Sequence, residues 1–239
     1  MSTGSNDHTQ PNKTVCILGM HRSGTSFLTG TLQQQFGLEL GKCHTWNPHN
    51  RKGNRENQDI VDLNDQVLSS NGGSWDSPPR KTHWSSEQLD AAASIIKSHA
   101  QQKTWGFKDP RSLITLTGWK RIKPDMEFIG IFRHPLSVAA SLHKRGGTPT
   151  EDGFNLWYKY NKILLQAKKE HDFPLICFDL PENVLHEKIE SAAQQIGLKS
   201  IQTQEQFYSS SLHHHKHTDA QQLPWKVKRL YNKLISLSD

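Results

Sequence analysis

The chain has 239 residues, which is enough for one α/β domain with a substantial core and marginal for two. Its formal net charge of +6 combines 29 basic with 23 acidic residues, so it suits an anionic ligand without requiring nucleic acid. A run of about 18 apolar residues is absent and the N-terminus is polar, which argues against a membrane span and a signal peptide. Since Cys16, Cys43 and Cys177 cannot all pair, we expect a reducing, cytoplasmic location.

Residues 15–36 have the pattern of a strand, a loop and a helix. Residues 15–18 are apolar and typical of a buried strand, and Gly19 and Gly24 allow a tight turn. Apolar residues then recur at near-helical spacing, at Phe27, Leu28, Leu32 and Phe36. A loop of this kind points backbone N–H groups inward at a helix N-terminus, where a phosphate or sulfate binds well. A glycine-rich turn without a ligand is the alternative.

The spacing of Gly19 and Gly24 matches the nucleotide-binding P-loop, but Thr25 occupies the position of the P-loop lysine. Arg22 lies two residues before the second glycine. This loop is therefore better suited to a donor that needs less metal assistance than Mg-ATP, and we expect no metal ion.

Further along the chain, periodic apolar residues alternate with polar, turn-rich segments. We expect a disordered tail over residues 1–12 and a single domain over 13–239. Two long loops, 41–55 and 75–84, are placed to meet an acceptor and to close over a site. Extended segments are predicted at 38–40, 105–107, 127–132 and 175–178. Helices are predicted at 60–68, 85–100 (with a capping box at Ser85), 138–142, 154–169, 185–196 and from about 225.

This alternation predicts a three-layer α/β fold with a central, mostly parallel sheet and helices on both faces. Ligands of such sheets bind beyond the carboxyl ends of the strands. The glycine-rich loop, Lys108, Arg133 and Asp179 each follow a predicted strand directly. We therefore expect them to converge on one edge of the sheet.

Two of these segments resemble sulfotransferases that use 3′-phosphoadenosine 5′-phosphosulfate (PAPS). The first loop is similar to their 5′-phosphosulfate loop in its Arg-Ser-Gly-Thr variant, and Arg133 with Ser141 eight positions later resembles their 3′-phosphate-binding segment. The resemblance implies a P-loop NTPase-like sulfotransferase fold, with PAPS as donor and adenosine 3′,5′-bisphosphate as product. The donor-binding residues that it implies are His21, Arg22, Ser23, Gly24, Thr25, Ser26, Arg133 and Ser141.

Lys108, Asp109 and Pro110 resemble the Lys-Asp-Pro segment of tyrosylprotein sulfotransferases, whose lysine is a catalytic cation. Lys108 and Arg22 would then stabilise charge as the sulfuryl group moves. A surface lysine before a proline turn is the alternative for Lys108. Asp109 would hold the turn or orient Lys108.

An acceptor hydroxyl also needs a base, and Glu56 is our first choice because the resembling families have a Glu at a comparable place after the first helix. A simple helix N-terminal acid is its alternative role. The reserve candidates are His44, His49 and Asp59.

The histidine-rich residues 213–217 invite a metal interpretation, but consecutive histidines cannot all face one ion, so a solvated basic loop is favoured. In related sulfotransferases a late basic loop with an aromatic residue covers the nucleotide. Phe207, Tyr208 or one of the residues 213–217 is a candidate for that contact.

The predicted function is transfer of a sulfuryl group from PAPS to a hydroxyl of a carbohydrate, peptide or small metabolite. One alternative is a P-loop kinase or phosphotransferase, which the missing lysine disfavours. The other is a non-catalytic domain that binds anions or nucleic acid through the basic C-terminal helix and the histidine-rich residues 213–217. The expected partner is a small-molecule, glycan or peptide acceptor, not nucleic acid.

Overall fold

The computed structural model describes residues 11, 13–44, 53–201 and 222–238. Their elements, in chain order, are β1 (Lys13–Leu18), α1 (Thr25–Phe36), α2 (Gln58–Ser70), α3 (Ser86–Ser98), β2 (Thr104–Lys108), a 3₁₀ helix (Pro110–Leu113), α4 (Leu116–Ile122), β3 (Glu127–Phe132), α5 (Pro135–Gly146), α6 (Thr150–His171), β4 (Leu175–Cys177), α7 (Glu182–Gln195) and α8 (Trp225–Ile235). Every predicted strand and helix is present with shifted ends, whereas the 3₁₀ helix and α4 were not predicted.

The four strands form one parallel sheet in the order β2-β1-β3-β4. Ile17 of β1 lies between Lys108 of β2 and Ile129 of β3, so β3 extends three residues beyond the level at which β2 ends. The predicted extended piece 38–40 is confirmed, because Glu39 makes a parallel bridge to Trp105 of β2.

Helices cover both faces of this sheet, because side chains of β1 alternate between two apolar cores. Val15 and Ile17 pack with residues of α1 and α7. Cys16 and Leu18 pack with residues of α2, α3, α5, α6 and α8. Burial on both faces explains the continuous apolar run in β1. The three-layer α/β fold predicted from the sequence is confirmed.

After β1 and after β3 the chain passes to opposite faces of the sheet. The helix after β1, α1, belongs to one core, and the helices after β3, α5 and α6, belong to the other. The carboxyl ends of β1 and β3 therefore flank the switch point where ligands of open parallel sheets bind.

Several local signals act as the sequence predicted. The Ser85 side chain accepts a hydrogen bond from the Gln88 N–H, and the Gln88 side chain accepts one from the Ser85 N–H, which completes the capping box of α3. In α8 the buried residues are Val227, Leu230 and Leu234.

The three cysteines form no disulfide, and Cys16 and Cys177 are buried in the core. Within residues 13–44, 53–201 and 222–238, the helices are too short or too polar to span a membrane. Some predictions lie outside the described residues. These concern residues 1–10 and 12, residues 45–52 with His49, and residues 202–221 with Phe207, Tyr208, His213, His214, His215, Lys216 and His217.

Candidate active site

The loop between β1 and α1 has the backbone of an anion-binding turn. Gly24 is the N-cap of α1 with φ 87°, and Arg22 has φ 66°. Left-handed residues at such a turn let backbone N–H groups point towards one centre, beside the positive end of the helix dipole. Only glycine fits at position 24, because an added Cβ would lie 2.4 Å from a ring carbon of Phe178. A non-glycine residue with positive φ, such as Arg22, is strained, and strain of this kind is concentrated at functional sites.

The structure brings the two sulfotransferase-like segments into direct contact. Arg22 Nε donates a hydrogen bond to Ser141 Oγ over 2.7 Å, although 119 positions separate the two residues. Arg133 Nη1 lies 3.5 Å from the carbonyl oxygen of Arg22. Arg22, Arg133 and Ser141 thus form one cluster at the carboxyl ends of β1 and β3.

Asp179, which follows β4, holds the start of α5 beside this cluster. Its Oδ2 accepts a hydrogen bond from the His134 N–H over 2.6 Å, and its Oδ1 lies 3.5 Å from Arg133 Nε. Trp157 Nε1 donates to the Arg133 carbonyl oxygen over 2.9 Å. The expected convergence of Asp179 and Arg133 on one edge is therefore observed, with Asp179 supporting Arg133.

Arg145 is a member of this cluster that the sequence analysis did not identify. It lies four residues after Ser141, on the same face of α5. Burial lowers the pKa of the Arg22 guanidinium, and the charges of Arg145 and then Arg133 lower it further. Arg145 is exposed, and its side chain makes no hydrogen bond or ion pair with the described part of the chain. Arg145 and Arg133 both repel the Arg22 guanidinium, and a bound anion would relieve this repulsion.

A second group of polar residues joins β2 to the segment before α2. Lys108 is the last residue of β2, and its side chain is 1% exposed. Its Nζ donates to Glu56 Oε1 over 2.7 Å and lies 3.4 Å from Ser26 Oγ of the loop. Lys108 is therefore not a surface lysine, and Glu56 is paired with it rather than lying in the first turn of α2.

The loop itself contains buried polar atoms. Ser23 Oγ is buried and has no hydrogen-bond partner among the described residues. Ser26 Oγ donates to the Asn54 carbonyl oxygen over 3.2 Å, which ties the segment before Glu56 to the start of α1. Thr25 is buried, and its carbonyl oxygen accepts a hydrogen bond from Thr29 inside α1.

His21 lies beneath the predicted closing loop 75–84. Its ring centroid is 4.8 Å from that of Trp75 and 5.9 Å from that of Tyr160, whose hydroxyl donates to the Trp75 carbonyl oxygen. Burial lowers the pKa of the His21 imidazole well below its usual range. Four nearby cations lower this pKa further: Arg111, Lys108, Arg145 and Arg22. His21 Nε2 is buried without a hydrogen-bond partner in the described residues.

Two reserve candidates for the base lie apart from this centre. The His44 ring is exposed and is 2.8 Å from Gln58 Oε1. Asp59 is exposed in the first turn of α2. In the described structure neither side chain bonds to Lys108 or to the loop, whereas Glu56 does bond to Lys108.

Other parts of the described structure do not add to the site. Residues 13–44, 53–201 and 222–238 contain no group of three or more His, Cys, Asp or Glu side chains able to hold a metal ion. A cavity of about 520 Å³ lies at the opposite edge of the sheet, near Glu127 at the start of β3. It is remote from the strand ends that carry Arg22 and Lys108.

Comparison with known protein families gives one match. The model of the sulfotransferase family matches residues 14–196, a range that includes the loop, the arginine cluster and the Lys108–Glu56 pair. A comparison with curated proteins finds no match.

One solved structure has a similar fold over nearly the whole chain. The sulfotransferase domain of the Synechococcus PCC 7002 olefin synthase superposes with a TM-score of 0.60 at 15% identity, over 98% of this chain and 98% of that chain. At this identity the likeness shows the fold alone. A sulfotransferase domain from the curacin biosynthetic pathway gives a TM-score of 0.47 at 15% identity, over 78% of this chain and 73% of that chain. Sulfotransferase STF1 from Mycobacterium tuberculosis H37Rv gives a TM-score of 0.46 at 12% identity, over 80% of this chain and 69% of that chain.

Proposed function

The chain belongs to the sulfotransferase family, and we propose that it transfers a sulfuryl group from PAPS to an acceptor hydroxyl. The observation that carries the proposal is the cluster of Arg22, Arg133, Arg145 and Ser141 beside the anion-binding loop. PAPS has a phosphosulfate at its 5′ end and a phosphate at its 3′ end, so it needs two adjacent anion subsites. In our proposal the loop and the cluster would supply these two subsites.

We assign the 5′-phosphosulfate to the loop residues, including Arg22, and the 3′-phosphate to the other members of the cluster. Backbone N–H groups at the start of α1, with the Arg22 side chain, would bind the first. Arg133, Arg145 and Ser141 would bind the second with charge-assisted hydrogen bonds. The loop residues assigned to the donor are His21, Arg22, Ser23, Gly24, Thr25 and Ser26. The buried, unpartnered Ser23 Oγ fits this assignment, because a ligand oxygen would satisfy it.

Lys108 and Glu56 are the residues that we assign to the chemistry. PAPS supplies the sulfuryl group. The acceptor oxygen forms a bond to sulfur while the bond from sulfur to the 5′-phosphate oxygen breaks, and the hydroxyl proton passes to Glu56. Lys108 would stabilise the negative charge on the departing phosphate, together with Arg22. The 2.7 Å contact of Lys108 with Glu56 puts the cation and the base at neighbouring positions.

A P-loop kinase is the nearest rival. Thr25 takes the place of the lysine that reaches the β- and γ-phosphates in such enzymes, and this departure favours the sulfuryl donor. Binding by the basic helix α8 is the other rival, and it predicts a steep salt dependence of nucleic-acid binding without nucleotide preference.

Calorimetric titration separates these functions. We expect adenosine 3′,5′-bisphosphate to bind more tightly than Mg-ATP. The substitution Arg133→Ala should weaken binding of adenosine 3′,5′-bisphosphate. Arg121→Ala, an exposed arginine on α4, is the matched control and should bind as wild type does. Incubation with PAPS and pooled acceptors should then give products heavier by one SO₃ group. Tighter binding of Mg-ATP, or equal binding by Arg133→Ala, contradicts the proposal.

Two broader expectations remain part of the proposal. A cytoplasmic location agrees with three cysteines that form no disulfide. A single domain over residues 13–239 agrees with α8 packing on α6 in the same core as β1. The acceptor remains a carbohydrate, peptide or small metabolite.

A further inference from the structure

Residues 56–65, which include the first half of α2, make three polar contacts with residues 108–111 at the end of β2. The contacts occur in the same order along both segments. Glu56 pairs with Lys108 over 2.7 Å, Asn64 donates to Asp109 over 2.8 Å, and Asp65 accepts from Arg111 over 2.6 Å. The first contact belongs to the proposed chemistry. The other two lie about two helical turns further along α2, where no acceptor or donor contact has been assigned.

Asn64 is the centre of this arrangement, and its side chain is fully buried. Its Nδ2 donates to Asp109 Oδ2 over 2.8 Å and to Ser112 Oγ over 3.0 Å. Its Oδ1 accepts from Thr115 Oγ1 over 2.7 Å and from Trp119 Nε1 over 2.9 Å. All four bonds of the amide are made, and Trp119 Nε1 is only a donor, so the amide has one orientation.

Asp109 is held as firmly as Asn64. Its Oδ1 accepts from the Arg111 N–H over 3.2 Å and from Arg111 Nη1 over 3.0 Å, while Oδ2 faces Asn64. Burial raises the pKa of the Asp109 carboxyl, and the Arg111 charge lowers it. Asp109 follows Lys108 directly in the chain, so this carboxylate fixes the backbone from which the Lys108 side chain extends.

We infer that Asn64 is a positioning residue for sulfuryl transfer, which acts by keeping Glu56 and Lys108 within hydrogen-bond distance. The inference rests on the proposed function of these two residues. Asn64 anchors α2 to Asp109, and the same α2 segment begins beside Glu56. Without this anchor α2 can shift against β2, and a misplacement of about 1 Å typically costs about 10²-fold in rate.

A kinetic split tests this role. We expect Asn64→Leu to lower kcat by about 10- to 100-fold. Its affinity for adenosine 3′,5′-bisphosphate should stay within about twofold of wild type, because Arg133, Arg145 and Ser141 are on other elements. Thr115→Val is the matched control, since it removes another buried hydrogen bond of Asn64 but leaves the contact with Asp109. Its kcat should remain close to that of wild type.

Exchanging the two side chains gives a second test that does not require Asn64→Leu to fold. Asn64→Asp alone sets two carboxylates against each other and should lower kcat. Adding Asp109→Asn restores a donor opposite an acceptor, and the new carboxylate can still accept from Thr115 and Trp119. We expect the double variant to recover most of the wild-type kcat.

These experiments have outcomes that would overturn the positioning role of Asn64. Wild-type kcat in folded Asn64→Leu, an equal loss of kcat and bisphosphate affinity, or no recovery in the folded exchanged pair would overturn the inference. If the wild type transfers no sulfuryl group, the proposed function fails, and a crystal structure of Asn64→Leu then tests the positioning by itself. Separation of Lys108 Nζ and Glu56 Oε1 beyond hydrogen-bond distance supports it, and an unchanged contact overturns it.

Discussion

Lys108 Nζ lies 2.7 Å from Glu56 Oε1, joining the last residue of β2 to the residue before the N-cap of α2 across 52 positions of sequence. The Lys108 side chain is 1% exposed and that of Glu56 is 15% exposed. A charge so deeply buried depends on its partner, because desolvation otherwise disfavours it. The two side chains are therefore expected to function as a unit.

Removing either member should nearly silence turnover. We expect Lys108→Met to lower kcat by about 10²-fold or more, since it removes a preorganised charge, and Glu56→Gln by about 10²- to 10⁴-fold, since it removes the base. In calorimetry Glu56→Gln should keep the wild-type affinity for adenosine 3′,5′-bisphosphate, whereas Lys108→Met should weaken it, because this product carries the 5′-phosphate to which Lys108 is assigned. Lys103→Met, at an exposed position just before β2, is the control and should retain full activity.

The double variant Lys108→Met/Glu56→Gln tests whether the pair acts as a unit. Losses from residues that work together are far from additive. We therefore expect the kcat of the double variant to be about equal to that of the single variant with the lower kcat. A loss equal to the product of the two single losses would show that Lys108 and Glu56 act independently.

Arg145 should contribute to binding of the donor rather than to chemistry. Arg145→Ala is expected to weaken binding of adenosine 3′,5′-bisphosphate by about tenfold, as a charge-assisted hydrogen bond is worth about 1.5–3 kcal/mol. Lys144→Ala, the adjacent exposed basic residue, is the matched control for general electrostatic attraction. Titrations at two salt concentrations give the measurement. Equal effects of the two substitutions would mean that only net charge matters.

The sequence predicted those parts of the site that are encoded locally. Apolar residues 15–18 with Gly19 and Gly24 specify strand, turn and helix within a dozen positions, so β1, the loop and α1 were correctly placed. Arg133 and Ser141 lie on one strand end and the helix after it, and the rule for parallel sheets brings that end beside the loop. Their meeting with Arg22 follows from topology alone.

Other parts depend on tertiary register, which local pattern does not reveal. Asn64 meets Asp109 across 45 positions because α2 packs along residues 108–111, and an asparagine within a helix gives no signal of that. Helix α4 is too short to show helical periodicity, and it contains Gly118. The glycine is needed there because an added Cβ would lie 2.0 Å from the Trp84 ring.

We expect the stability of the fold to depend on pH through His21. Burial lowers the pKa of its imidazole well below the usual range, and Arg111, Lys108, Arg145 and Arg22 lower it further. In the unfolded chain a histidine takes up a proton near pH 6.5, at about its unperturbed pKa. As pH falls through this value, the unfolded state binds a proton that the folded state does not. The contribution of His21 is therefore complete above about pH 6.5 and is lost progressively below it.

Urea unfolding between about pH 7.5 and pH 5.5 measures this dependence. Below about pH 6.5 the free energy of unfolding of wild type should fall more steeply than that of His21→Asn, by up to about 1.4 kcal/mol per pH unit, the value for one proton. His83→Asn, which removes an exposed histidine, should leave the wild-type slope unchanged. Carboxylates that titrate in the same range contribute alike to all three proteins, so the difference isolates His21. Parallel curves for wild type and His21→Asn would show that the folded state accommodates a protonated imidazole at this position.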